Sequence, residues 1–173
     1  MCSSDLEPAD WEAYRAQPTH PVRSICWYEA LAYARWAGKT LPSEAQWEKA
    51  ARGPQGHAYP WGETLEREQW NDGKSRQGTV PVDYDSPAWD SAYGVACMAG
   101  NIWEWCRDLY IPYPYDPDDG RAVLEGTGLR VVRGCSYYCD EDSARAASRR
   151  YSFPHAQSDV CGVRVGITET LNG

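Results

Sequence analysis

From residue 54 to residue 128 the chain is interrupted by proline too often for a long helix or strand to survive. Pro54, Pro60, Pro81, Pro87, Pro112, Pro114 and Pro117 all fall there, with many glycines between them. Each proline removes a backbone donor and fixes φ, so this stretch is restricted to loops, turns and short strands. Its apolar runs are correspondingly brief, as in Thr79-Val80-Pro81-Val82 and Ile102-Trp103-Glu104-Trp105. Loops of this kind must be held by side chains, and the chain carries 9 Trp and 12 Tyr against 1 Phe. Indole and phenol rings keep a polar handle, which suits surfaces and half-buried clefts better than an oily core. Strand-like runs return at residues 129–133 and 162–167. With 173 residues, no internal repeat and no linker-like boundary, the chain reads as one domain or part of one, able to bury roughly 70% of its unfolded surface.

Two helices are legible ahead of the proline-rich stretch. Residues 27–37 bring Tyr28, Leu31 and Ala34/Arg35 to one face, with Ala30 and Ala37 beside them, and Gly38 stops the run. Glu29 would complete a capping box, but position 26 is cysteine, a poor cap. The second helix has clearer ends: Ser43 caps it, Gln46 is the matching third residue, and Gly53 follows the basic Lys49 and Arg52.

The formal charge of −8 leaves no basic stripe to neutralise phosphates, which excludes nucleic acid as a natural partner. No apolar run approaches the roughly 20 residues that span a bilayer, and the mean hydropathy of −0.67 is that of a soluble chain. Met1-Cys2-Ser3-Ser4-Asp5-Leu6 resembles the translation of a short-read sequencing adapter, so residues 1–6 are set aside as an artefact. On that reading the native start is missing and the sequence gives no location. Of the remaining cysteines, Cys26, Cys97, Cys106, Cys135, Cys139 and Cys161, none forms a CxxC pair and no His is spaced for zinc. Mostly free thiols are expected rather than a disulfide framework.

Several segments then line up together: Ser43-Glu44-Ala45-Gln46-Trp47-Glu48-Lys49-Ala50-Ala51-Arg52-Gly53, Tyr59-Pro60-Trp61-Gly62, Tyr93-Gly94-Val95-Ala96-Cys97-Met98-Ala99-Gly100-Asn101-Ile102-Trp103-Glu104-Trp105, Arg133-Gly134-Cys135-Ser136-Tyr137 and Gly162-Val163-Arg164-Val165. In this order, over about residues 21–165, they resemble the formylglycine-generating enzyme (sulfatase-modifying factor) domain. The resemblance implies an α+β fold of C-type-lectin-like type, low in regular secondary structure, with two N-terminal helices and short antiparallel strands. It implies that Trp27, Trp36, Trp47, Trp61, Trp103 and Trp105 belong to the frame, where indoles pin loops. It also implies that residues 7–173 form a single domain truncated at its N-terminus, with an unpaired sheet edge.

The domain family includes oxidases and inert binding modules, so membership leaves function open. The oxidases hold copper(I) between two thiolates, soft ligands for a soft ion, and convert a peptidyl cysteine to formylglycine. By the resemblance the first thiolate is Cys139, with Ser136 beside it; the second position is Ala144, and the neighbouring His of the enzymes is Asp140. Cys135 and Cys161 remain as alternative second sulfurs. The related iron-dependent sulfoxide synthases use three histidines, and His20, His57 and His155 lack that spacing.

Residues 133–165 resemble, further, the variable region of target proteins of diversity-generating retroelements, in which adenine-directed copying turns Asn codons into many residues on a fixed scaffold. In register, the varied positions are Tyr138, Cys139, Asp140, Ser143, Ser152, Phe153, Ser158, Asp159, Val160 and Cys161, each reachable from an Asn codon through its adenines. With Tyr137 and Tyr151 they form the expected surface for a protein or small-molecule ligand, rigid rings beside adaptable Ser and Asp as in a paratope. A non-catalytic binding domain is the leading expectation and a copper-dependent oxidase acting through Cys139 and Ser136 the alternative. Neither reading firmly implies a cofactor beyond copper in the second.

The remaining motifs are weaker. By position, a family calcium site would use the carbonyls of Gly100 and Ile102 and the carboxylate of Glu104, but its upstream Asn/Asp ligand is Cys97. A second calcium site would use Asn71, with Lys74 where a carboxylate is expected. Trp70-Asn71-Asp72 copies a sugar-binding lectin signature without its partner motif, and Asp116-Pro117-Asp118-Asp119-Gly120 reads as an Asx-rich turn. Arg145, Arg149, Arg150 and Arg164 are expected to pair with acids such as Asp108 and Glu104 or to stack on rings, rather than to form an anion site.

Overall fold

The computed structural model describes residues 11–65, 70–71, 78–84 and 87–167; Met1–Leu6, Asp72 and Lys74 lie outside them. Helices α1 (Trp11–Arg15), α2 (Trp27–Trp36) and α3 (Glu44–Arg52) precede four strands, β1 (Trp103–Leu109), β2 (Arg130–Arg133), β3 (Arg150–Ser152) and β4 (Cys161–Gly162). The strands form one sheet in the order β3-β2-β1-β4. β2 is antiparallel to both β1 and β3, whereas β4 runs parallel to β1, so the expected all-antiparallel set is a mixed sheet. Of the expected strand at 162–167 only its first residue joins the sheet, the rest being tied by a lone bridge from Gly166 to Thr40.

Register assigns side chains to the two faces, because neighbours along a strand point oppositely. Trp105 lies opposite Val132 and Glu104 opposite Arg133. Trp103, Trp105 and Val132 therefore share one face, where they pack with Trp27, Ala30, Leu31 and Ala34 of α2. Cys106 and Val131 serve the other, packed with Trp47 and Ala51 of α3 and with Met98. The buried stripe of α2 is thus Trp27-Ala30-Leu31-Ala34; Tyr28 is turned out, and Trp36, expected among the pinning indoles, is 82% exposed. Glu29 does cap α2, accepting from the Cys26 N–H at 2.7 Å. α3 keeps the expected reciprocal box, Gln46 N–H to Ser43 Oγ at 3.1 Å and Ser43 N–H to Gln46 Oε1 at 2.8 Å, and ends at Gly53 with φ 65°.

Charge is buried under α3. Arg133, fully enclosed, donates to Glu44 at 3.0 Å, to Glu48 at 2.7 Å and to the Ala146 carbonyl at 2.9 Å. Arg149 forks onto both oxygens of Glu44. On the α2 face the enclosed Arg130 lies 3.8 Å from the Trp27 ring centroid and donates to the carbonyls of Arg107, Val123 and Leu124. Long loops are thereby fastened where no ladder could satisfy their carbonyls. Gly100, with φ 78°, lets Asn71 approach so closely that a Cβ there would meet its carbonyl oxygen at 2.6 Å.

The sheet's edges are short: β3 has three residues and β4 two, and the outer side of β4 is met by a bridge from Arg23 to Gly162. The described residues therefore present no long bare edge of the kind expected above.

Glu44→Gln should lower unfolding free energy by about 3–5 kcal/mol, since it removes the enclosed anion shared by the buried Arg133 and the half-buried Arg149; a loss below about 1 kcal/mol in urea titration would contradict the network. For Glu48, burial alone would raise the carboxyl pKa, but Arg133, Arg52 and Tyr113 outweigh it and hold it below its ordinary 4.5. Its stabilisation is complete above that value and is lost as pH falls through the lower folded one. Glu48→Gln should consequently flatten the acid limb of stability below pH 4.5, read as urea midpoints at pH 3 to 6.

Candidate functional site

The loop after β2 is shaped by two positive-φ residues, Gly134 at 96° and Cys135 at 65°. Its backbone is then pinned: Tyr137 N–H donates to the Asn101 carbonyl at 3.1 Å and Cys139 N–H to the Ser136 carbonyl at 3.0 Å. Cys135 and Cys139 form a disulfide with Cα atoms 5.9 Å apart, which corrects the expectation of mostly free thiols at these two positions. Residues four apart in a tight turn fall within disulfide reach. The Ser136 N–H points to Cys139 Sγ at 2.9 Å, and the buried Ser136 hydroxyl accepts from Tyr138 N–H at 3.3 Å.

Tyr137 is buried, and burial pushes its phenol up in pKa; its ring lies 4.4 Å from that of Tyr138, which is 76% exposed. Arg23 donates to the Tyr137 hydroxyl at 3.4 Å and to the Asp159 carbonyl at 3.0 Å, bringing the loop before α2 together with both arms of the window. Asp140 accepts from Ser143 N–H at 2.9 Å, and its side-chain and backbone hydrogen bonds with Ser143 hold its carboxyl below the usual range. Arg150 reaches Ser143 Oγ at 3.4 Å and lies over Trp103 at 5.7 Å. Phe153, 58% exposed, stacks on His155 at 5.6 Å. The Trp103 N–H donates to the Val160 carbonyl at 2.7 Å, so the last arm of the window is bonded into the sheet.

The expected surface is therefore not one patch. Tyr138, Asp140, Phe153 and Asp159 are exposed and Cys139, Ser152, Ser158 and Val160 half-buried. Tyr137, Ser143 and Cys161 are buried and support the surface instead of forming it. Tyr151 is exposed but paired opposite Val131, which turns it to the α3 face, where it packs on Tyr110 at 4.8 Å; Arg150 and Ser152 alternate to the α2 face. Sequence reasoning missed Arg23, a lone arginine on a loop more than a hundred residues from the groups it joins.

These residues do not fit copper(I). Cys139 is engaged by Cys135, Ala144 is buried in the α2-side core, and Cys161 is buried, its thiol pushed well up by desolvation. Nor do they fit calcium: the Glu104 carboxylate is taken by Arg164 and Trp47, and Cys97 supplies no hard anion. No cluster of three His, Cys, Asp or Glu poised for a metal occurs among the described residues. The other arginines stack or pair: Arg145 over Tyr59, Arg149 on Glu44 and between Tyr110 and Tyr113. Asp116 forms the expected Asx turn with Asp118 N–H at 2.9 Å. Asn71 is buried and donates to the Gly78 carbonyl at 2.8 Å, turning its amide inward rather than to a sugar. A groove of about 580 Å³ lies between α3 and Tyr113-Pro114-Tyr115, but its polar groups Glu48, Arg52 and Tyr113 are bonded to one another.

A family profile described as sulfatase-modifying factor enzyme 1-like domain matches residues 3–168. A formylglycine-generating enzyme of Thermomonospora curvata is 38% identical over 174 residues, covering 86% of this chain and 55% of that protein. The mouse protein named inactive C-alpha-formylglycine-generating enzyme 2 is 33% identical over 161 residues, covering 83% of this chain and 48% of its own length. Among solved structures, Treponema denticola variable protein 1 superposes with a TM-score of 0.69 at 22% identity, covering 86% of this chain and 71% of that one, a likeness of fold. The chain spans about half the length of these curated relatives.

Burial and pairing rank the thiols. A maleimide applied to the native protein should label half-buried Cys97 and spare Cys26, Cys106 and Cys161, with Cys139 joining only after reduction; peptide mass mapping that found Cys161 labelled as fast as Cys97 would contradict this packing.

Proposed function

The chain belongs to the sulfatase-modifying factor enzyme 1-like family, and on that premise we propose that it is a non-catalytic binding domain. One observation carries the reading: where the oxidases need a second thiolate this chain has Ala144, enclosed in the α2-side core, while Cys139, at the position of the first, is already bonded to Cys135. A relative of the same family carries the name inactive, so loss of the reaction has a precedent. What remains at the surface suits recognition. Tyr138 and Phe153 offer rigid contact area at low entropic cost, and Asp140 and Asp159 offer acceptors around them.

The same arrangement suits a retroelement-diversified target protein. The backbone of the window is tied to Asn101, Trp103 and Ser24 through main-chain hydrogen bonds, so exposed tips can change without disturbing the frame. Tyr138, Asp140, Phe153 and Asp159 are exposed and are among the positions reachable from Asn codons.

Metal binding, turnover and the stability of loop variants test this. Copper(I) titration of the protein as isolated should give no tight one-to-one binding, and a peptidyl cysteine should not be converted to formylglycine; copper binding lost in Cys139→Ala would overturn the reading in favour of the oxidase. Tyr138→Ala and Phe153→Ala should each change stability by less than about 0.5 kcal/mol. For the retroelement reading, the encoding locus should hold a reverse transcriptase and an adenine-rich near-copy of codons 133–165.

A further inference from the structure

Beside the carboxylate that the family resemblance assigns to calcium, this chain sets the half-buried guanidinium of Arg164. Glu104 projects from β1 toward α3 and is 5% exposed. Arg164 Nε donates to its two oxygens at 2.9 and 3.2 Å, and Arg164 Nη2 donates at 2.8 Å. Trp47 Nε1 adds a further bond at 2.7 Å. The same Nη2 also donates to the Ala96 carbonyl at 2.8 Å. A hard dication in an oxygen cage collects carboxylates and backbone carbonyls; the guanidinium has collected one of each.

The two cations exclude each other. A calcium ion on Glu104 would compete for oxygens that the guanidinium already uses, and would bring a like charge within a few ångströms of it, where screening is weak. The neighbouring Cys97 adds no compensating charge. It lines a 210 Å³ cavity with Asn101, Glu104 and Arg164, and burial holds its thiol protonated.

We propose that Arg164 is the built-in cation of this loop: it closes residues 96–104 onto the chain after β4 and makes the stability of the domain independent of calcium. The paired charges are supplied by the fold itself, so no ion has to be recruited from solution.

Thermal unfolding in EDTA and in millimolar calcium tests the proposal. The parent chain should melt at the same temperature in both. Arg164→Gln should lower the midpoint by roughly 10 °C, and Arg164→Lys, which keeps the charge but loses the fork, by less. The double substitution Arg164→Ala with Cys97→Asp empties the guanidinium's place and adds a carboxylate; calcium should raise its midpoint by several degrees. A calcium- or EDTA-induced shift in the parent, an unchanged midpoint in Arg164→Gln, or no calcium response in the double variant would overturn the assignment. If the Arg164 variants do not fold, the parent comparison, repeated as a calorimetric calcium titration, still decides it.

Discussion

The fold depends on arginines that are wholly enclosed. A chain with so few ladder hydrogen bonds must find partners for the carbonyls of its loops, because an orphaned buried carbonyl costs as much as a lost hydrogen bond. Arg121, Arg130 and Arg133 have no exposed surface. Each reaches backbone carbonyls: Arg121 those of Asp116 and Pro114, Arg130 those of Arg107, Val123 and Leu124, Arg133 that of Ala146. A guanidinium is well suited to this, being planar, permanently charged and able to donate in several directions while its face rests on a ring. Arg130 lies against Trp27 and Arg121 against Tyr115. The tryptophans and the arginines thus act together, the ring excluding water from the charge and the charge ordering the loop.

This mode of support explains how a surface can be both loop-built and fixed. The window after β2 leans on Asn101 and Tyr137, and its far arm is bonded to Trp103 of the sheet. Exposed members such as Tyr138, Asp140, Phe153 and Asp159 project from a loop whose backbone is tied to Asn101, Trp103 and Ser24. Side-chain identity at Tyr138, Phe153 and Asp159 is therefore nearly free of the folding problem, whereas Asp140 also closes the turn at Ser143. Positions such as Tyr137 and Ser143, a residue or two away, are not.

What was legible in the sequence followed locality. α3 announced both ends through Ser43, Gln46 and Gly53, because a cap is made by residues within one turn of each other. The family segments likewise gave the fold class, and Arg164 was paired with Glu104 as its charge suggested. The inner face of α2 was less legible, since alanine and aromatic residues surround the helix, and Trp36 carries no mark that separates it from the buried Trp27. β3 and β4, of three and two residues, are too short for a period to declare itself. In the candidate site the window itself could be read, but the division into exposed and buried members depends on the register of β3 with β2, which turns Tyr151 away from Ser152. The approach of Arg23 to Tyr137 and Asp159 is likewise a product of tertiary folding alone.

The short edges of the sheet bear on how such a protein can meet others. A strand of two residues, crossed on its outer side by Arg23, offers almost no main-chain template for an incoming strand. Recognition by main-chain addition reads a partner chiefly through its backbone, and so tolerates many sequences. With that route closed at β4, the binding role proposed above leaves discrimination to the side chains on the loops, and on that proposal a change at a tip alters which partner is accepted instead of how firmly any strand adheres.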